Sequence, residues 1–129
     1  MERDKKQARI LVIDDEKGIV FTVKAFLLKE GYEVSTANNY DEVLDILAKE
    51  DFDLIFTDIM LGDETGIDVL REAKRRNLTC PVILNTGYPD IETKSEAMRL
   101  GAYDYLHKPV TKETLLRITD MALHQANPV

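Results

Sequence analysis

The sequence predicts a doubly wound α/β fold, a five-stranded parallel sheet in the order 2-1-3-4-5 with five helices on both faces. Two observations carry the prediction. Short apolar runs alternate regularly with amphipathic segments along the chain. The runs Ile10-Leu11-Val12-Ile13, Leu54-Ile55-Phe56 and Val82-Ile83-Leu84 are almost wholly apolar, as strands are when helices cover both faces of a parallel sheet.

Each element can be justified in turn. The first strand leads into a helix whose apolar positions Ile19, Val23, Phe26 and Leu27 recur at helical spacing, with Gly31 placed to end it. The second strand, Glu33-Val34-Ser35-Thr36-Ala37, alternates more and reads as an edge. Tyr40, Val43, Leu44 and Leu47 mark the second helix; Ile67, Leu70 and Ala73 mark the third. The third runs into Lys74-Arg75-Arg76, a basic run read as a solvated helix end. A fourth helix starts after Asp90 as N-cap and stops at Gly101. The fifth strand lies around Tyr103-Asp104-Tyr105-Leu106, and the fifth helix starts near Thr111 with Leu115, Ile118, Thr119 and Ala122 on one face. Five strands favour the flavodoxin-like order, with its switch point between the first and third strands. The whole of 1–129 is predicted as one domain, its core at about 8–124, between a charged N-terminal tail and a short C-terminal tail.

Composition excludes several function classes. The chain carries 24 acidic against 17 basic residues, a net charge of -7, which argues against binding a nucleic-acid backbone. Cys80 is the single cysteine, so no internal disulfide forms and a reducing compartment fits. No apolar stretch approaches the roughly 20 residues that span a bilayer, and the charged start has no signal-peptide character. The expectation is a cytoplasmic protein without membrane association.

Four polar clusters follow four apolar runs: Asp14-Asp15, Asp58, Thr86 and Lys108. On parallel strands all four emerge at one sheet edge, at the switch point where ligands of such folds bind. Three carboxylates held together resist joint ionisation, and a hard cation resolves the repulsion. The plain alternative for Asp14-Asp15 is a helix N-cap, but capping needs only one acid. Asp58 is then either a third ligand or a nucleophile, since a carboxylate can attack a phosphoryl group to form an acyl phosphate. Such a transfer needs in-line placement and charge neutralisation, for which Lys108 offers a charge and Thr86 a hydroxyl. Singly, a strand-end threonine and a Lys-Pro turn mean little; the combination gives them weight. Pro109 restricts the backbone of Lys108 toward extended geometry.

These motifs together resemble the response-regulator receiver domain, the phospho-acceptor module of two-component signalling. The matching segments are Ile-Leu-Val-Ile-Asp14-Asp15-Glu16, Asp53-Leu-Ile-Phe-Thr-Asp58, Pro81-Val-Ile-Leu-Asn-Thr86-Gly87 and Gly101-Ala-Tyr-Asp-Tyr105-Leu-His-Lys108-Pro109, over roughly residues 8–124. The resemblance implies a signalling switch rather than an enzyme acting on a separate substrate. Asp58 would accept a phosphoryl group from the phosphohistidine of a sensor histidine kinase or phosphotransfer protein. Asp14, Asp15 and Asp58, with the Met60 backbone carbonyl, would hold Mg²⁺ or another divalent cation such as Mn²⁺. Lys108 would contact the phosphoryl group, Thr86 would swing toward it, and Tyr105 would change rotamer with Thr86. The surface of the fourth helix, fifth strand and fifth helix would carry the change to a downstream output domain or protein, and a homodimer through these elements is allowed but not required.

Several positions depart from the family pattern. Gly62 stands where proline is typical, which predicts a less constrained loop, and Asp63 and Glu64 add negative charge there. Met60 and Tyr88, two positions after Asp58 and Thr86, occupy places that control water access to the phosphoryl group. Both are bulky, and slow self-dephosphorylation is expected unless they point into solvent. His107 is expected to face away from the site, His124 to be solvated, and Cys80 to be no catalytic thiol. Of Tyr103 and Tyr105 only one can face the switch side. Three rival readings fit the residues less well. An Asp-nucleophile phosphatase wants an acid where Met60 stands. A flavin-binding domain wants a phosphate loop free of Asp14-Asp15-Glu16. A pseudo-receiver that only binds protein would not need all five chemical residues.

Overall fold

The structure, a computed structural model, describes residues 8–126; the expected charged N-terminal tail and Asn127-Pro128-Val129 lie outside the described residues. The elements in chain order are β1 (Arg9–Ile13), α1 (Lys17–Lys29), β2 (Glu33–Ala37), α2 (Tyr40–Lys49), β3 (Leu54–Asp58), β4 (Met60–Leu61), β5 (Glu64–Thr65), α3 (Gly66–Arg75), β6 (Val82–Thr86), α4 (Ile91–Arg99), β7 (Asp104–His107) and α5 (Lys112–Ala126). The main sheet is parallel throughout and runs β2-β1-β3-β6-β7. Counting only its five strands, that is the order 2-1-3-4-5, with the alternating strand at one edge as expected.

Side-chain alternation explains why the strands read as apolar. Leu11, Ile13, Ile55, Leu84 and Tyr105 pack with residues of α2, α3 and α4, among them Val43, Leu70 and Ala97. Ile10, Val12, Leu54, Phe56 and Ile83 pack on the opposite face with Leu27 of α1 and Leu115 and Ala122 of α5. Both faces are thus buried, and no strand residue between Ile10 and Ile13 or Leu54 and Asp58 stays exposed.

The helix boundaries follow local chemistry. Asn39 accepts from the Glu42 amide, Asp90 from the Thr93 amide, and Thr65 and Asp68 form a reciprocal capping box. Gly31 and Gly101 follow α1 and α4 with φ of 97° and 95°. The basic run that closes α3 is more than a solvated end. Arg75 and Arg76 both pair with Glu72, at 2.5 and 2.6 Å. Two arginines hold the Glu72 carboxyl down to about 2. Among the described residues no helix is long and apolar enough to cross a membrane.

The segment after Asp58 corrects the expectation of a loose loop. Met60 pairs with Thr65 and Leu61 with Glu64 as a two-residue hairpin, β4–β5. Gly62 takes φ +79° at the first turn position, the sign that a type II′ turn needs there. Proline, locked near -65°, would not adopt it, so the departure from proline selects a different tight turn. Asp63 and Glu64 line a cleft with Tyr40, Arg71 and Arg75 and stand apart from the carboxylate cluster described below.

Candidate functional site

Register brings the predicted residues to one edge. Ile13 pairs with Thr57, Asp58 with Asn85, and Thr86 with His107, so Asp14, Asp58, Thr86 and Lys108 leave four neighbouring strands at one level. The edge lies at the C-terminal ends of β1 and β3, where the chain reverses its direction of winding.

Alternation then divides them. Asp14 follows Ile10 and Val12 in phase, Asp58 follows Leu54 and Phe56, and Lys108 follows Leu106, all on the α1/α5 side. There Lys108 Nζ stands 3.0 Å from Asp14 Oδ2 and 3.1 Å from Asp58 Oδ2, with Glu16 Oε1 at 3.7 Å. Thr86 follows Val82 and Leu84 in phase, on the face that Tyr105 shares. Its hydroxyl accepts from the Tyr88 amide at 3.0 Å, and among the described residues no hydrogen bond joins it to Asp58. Tyr105 is buried, its hydroxyl accepting from the Asp90 amide at 3.4 Å. Tyr103 packs on the other face, so one tyrosine alone is on the Thr86 side. The Lys108–Pro109 peptide is cis.

The electrostatics express crowding. Asp14 and Asp58 are both buried. Burial, and next the charge of Asp14, push the Asp58 carboxyl above its ordinary range, against hydrogen bonds from Lys108 and the Met60 amide. For Lys108, burial favours the neutral amine, but hydrogen bonds to Asp14 and Asp58 outweigh it and raise the ammonium's pKa. Carboxylate oxygens of Asp14, Asp15, Glu16 and Asp58 all lie within 4.8 Å of one another. Four carboxylates facing one ammonium are a poor resting arrangement alone and a good one for a hard, oxygen-seeking cation.

Glu16 was not among the predicted ligands, although it sits in the quoted motif. The signal was a tight turn: Asp14 Oδ1 accepts the Glu16 amide at 2.9 Å, folding Glu16 back toward the pair. That bond also settles the capping alternative. The N-cap of α1 is Glu16, and no side chain caps the helix. Gly66 is a second residue the pattern did not single out. A Cβ there would lie 2.5 Å from the Asp58 carbonyl oxygen, and the Gly66 amide donates to the Ile59 carbonyl at 2.8 Å.

Met60 and Tyr88 both turn outward, 53% and 82% exposed. They flank a groove that reaches Thr86 and Ile59. No acid occupies the Met60 position, as the phosphatase alternative would need. His107 and His124 are exposed. Cys80 is half-buried before β6, its thiol pushed up to about 11 by burial, so it is not a thiolate at neutral pH.

The model of the response regulator receiver domain family matches residues 10–120. Over 110 residues the chain is 38% identical to the alginate biosynthesis transcriptional regulatory protein AlgB of Pseudomonas aeruginosa, covering 85% of this chain and 24% of that protein. The chain therefore spans about a quarter of the length of such relatives. A crystal structure of a CheY-like receiver domain protein from Methanospirillum hungatei superposes with a TM-score of 0.89 at 33% identity, covering 93% of this chain and 96% of that one. The beryllofluoride-activated NtrC4 receiver domain dimer superposes at 0.86, with 30% identity over 92% of this chain and 98% of that one.

Proposed function

This chain belongs to the response regulator receiver domain family, and from that premise we propose that it is a phosphorylation-dependent switch with Asp58 as the phospho-acceptor. The observation that carries the reading is the shared ammonium: Lys108 Nζ bridges Asp58 Oδ2 and Asp14 Oδ2 at the sheet's switch point. One carboxylate is thereby presented for chemistry while its neighbour is left to bind a cation.

Asp14, Asp15 and Asp58, with the Met60 backbone carbonyl, would hold Mg²⁺ or another divalent cation such as Mn²⁺, and the quartet's spacing admits Glu16 as a further or water-mediated contact. The bound ion supplies charge neutralisation to the phosphoryl oxygens. Asp58 Oδ attacks the phosphorus of a partner's phosphohistidine; the P–N bond breaks as the P–O bond forms, and the histidine leaves with its electron pair. Lys108 follows the transferred charge. Thr86 exchanges the Tyr88 amide for a phosphoryl oxygen, and Tyr105, on the same sheet face, moves with it. Met60 and Tyr88 lean into solvent beside the groove that reaches Thr86, so any shielding of the acyl phosphate from water is partial.

The partners proposed are a sensor histidine kinase or phosphotransfer protein and a downstream output domain or protein, in the cytoplasm, without direct nucleic-acid or membrane binding. The α4–β7–α5 surface is the proposed output face. α4 exposes Ile91 and Met98 and β7 exposes His107; a homodimer is supported by the dimeric state named for the NtrC4 neighbour, and this face is the one proposed for it.

The test is incubation with a small-molecule phosphodonor, with and without Mg²⁺, followed by intact mass. A metal-dependent gain of one phosphoryl group, absent in Asp58→Asn, is expected. Labelling that survives Asp58→Asn overturns the assignment of the acceptor.

A further inference from the structure

Little apolar burial holds α4 in place. Of its 9 residues only Ala97 is buried, whereas Ile67, Val69, Leu70 and Ala73 are all buried in α3 beside it. Its seat therefore depends on polar ties, and three are present. At its N-cap, the Asp90 amide donates to the Tyr105 hydroxyl at 3.4 Å. Farther along, Glu96 Oε2 accepts from Arg71 Nη2 of α3 at 2.5 Å. At its far end the Lys74 ammonium of α3 stands beside Gly101, 2.9 Å from where a Cβ there would lie. A cation suits the carbonyls of a helix C-terminus.

Arg71 and Lys74 are three positions apart and so project from one face of α3. The other partner of Arg71, Asp68 at 3.9 Å, lies within α3 itself. Both Arg71 and Glu96 line the groove that reaches Thr86, so displacing α4 from α3 along that groove parts them. In the switch proposed above Tyr105 moves with Thr86, which loosens the tie at the N-cap. The cationic ties from α3 then hold α4 back.

We propose that the Arg71–Glu96 pair is a clasp that seats α4 against α3 and weights the switch toward its unphosphorylated state. The weighting rests on the function proposed above; the clasp does not. The two side chains are 53% and 36% exposed, and an exposed pair shifts an equilibrium by about two- to fivefold. That is enough to tune a helix with one buried residue, and small enough for the charge-assisted bonds of a phosphoryl group to override.

Amide hydrogen exchange of the unphosphorylated chain, read by NMR, tests the clasp. Glu96→Gln and Arg71→Gln should each speed exchange across residues 94–100 about two- to fivefold and leave α1 unchanged. The double variant should match either single one, since both remove the same contact. An effect within α4 alone would run the other way, because neutralising an acid near a helix C-terminus favours the helix. Labelling of Asp58 by acetyl phosphate with Mg²⁺, followed by intact mass, tests the weighting. Both single variants should label about two- to fivefold faster than the parent. A parent that takes no label overturns the switch and with it the weighting, while the exchange comparison still judges the clasp. Unchanged exchange in α4, additive effects in the double variant, or equal labelling rates in a parent that does label would overturn the proposal.

Discussion

Gly66 approaches Asp58 so closely that a Cβ on it would stand 2.5 Å from the Asp58 carbonyl oxygen. The obstacle is backbone at the end of a central strand, so nothing flexible can yield. Gly66→Ala should cost about 2–3 kcal/mol in urea unfolding, the range of overpacked core sites. It should also slow phosphorylation from a small phosphodonor by tenfold or more, because the strain is relieved by displacing the acceptor residue itself. A variant as stable and as readily labelled as the parent would show that the contact is slack.

Asp58 is held above its ordinary carboxyl range chiefly by burial and by Asp14. A folded-state value above the unfolded one means that the native state retains the proton longer. Stability without metal should therefore fall as pH rises from the ordinary carboxyl range through the raised one. Asp58→Asn removes the repulsion and should raise metal-free stability by roughly 1 kcal/mol. Mg²⁺ should stabilise the parent and act far less on the variant. Thermal melts of both proteins across pH, with Mg²⁺ and with chelator, provide the comparison.

Lys108 pairs with both buried aspartates. Lys108→Met leaves two carboxylates facing each other and should destabilise the metal-free chain by about 3 kcal/mol, as losing one side of a buried ion pair does. Combining it with Asp58→Asn should restore much of that loss. An additive double variant would mean that the lysine acts elsewhere.

Glu72, gripped by Arg75 and Arg76, titrates at about 2 rather than its ordinary 4.5. A depressed folded value stabilises the fold above the unfolded pKa and is lost as pH falls through the folded one. The melting-temperature difference between the parent and Glu72→Gln should be constant above about pH 4.5 and shrink toward zero near pH 2.

Met60 and Tyr88 rim the groove that reaches Thr86, and both side chains lean outward. Met60→Ala with Tyr88→Ala should speed loss of the phosphoryl group several-fold, followed by intact mass over time. An unchanged lifetime would leave these side chains as bystanders in solvent.

The strands and helices were legible because both faces of the sheet are buried. Ile10 to Ile13 could be apolar at every position only if helices lay on either side. The edge strand Glu33–Ala37 betrayed itself by alternation, and Asn39, Asp90, Gly31 and Gly101 punctuated the helices where they should. The hairpin Met60–Thr65 was not legible, because two-residue strands are shorter than any period, and a missing proline looked like slack. Glu16 was hidden because its role depends on a turn made by Asp14, not on its own spacing. Asn85 was concealed inside Val82-Ile83-Leu84: the run announces a strand, and burial of the next residue appears only once β3 and β7 flank it. Thr86 was foreseen at the right edge, but its hydroxyl faces the Tyr88 amide in this state.

Strand alternation has one more effect. It sends Asp58 and Lys108 toward α1 and α5 and sends Thr86 and Tyr105 toward α4, although all four leave the same edge of one sheet. On the proposed function, a single layer of backbone separates the acceptor side chain from the Thr86–Tyr105 pair that would relay its phosphorylation. If so, the side chain that carries the phosphoryl group and those that respond to it are covered by different helices, and a change at one reaches the other only through the strand ends between them.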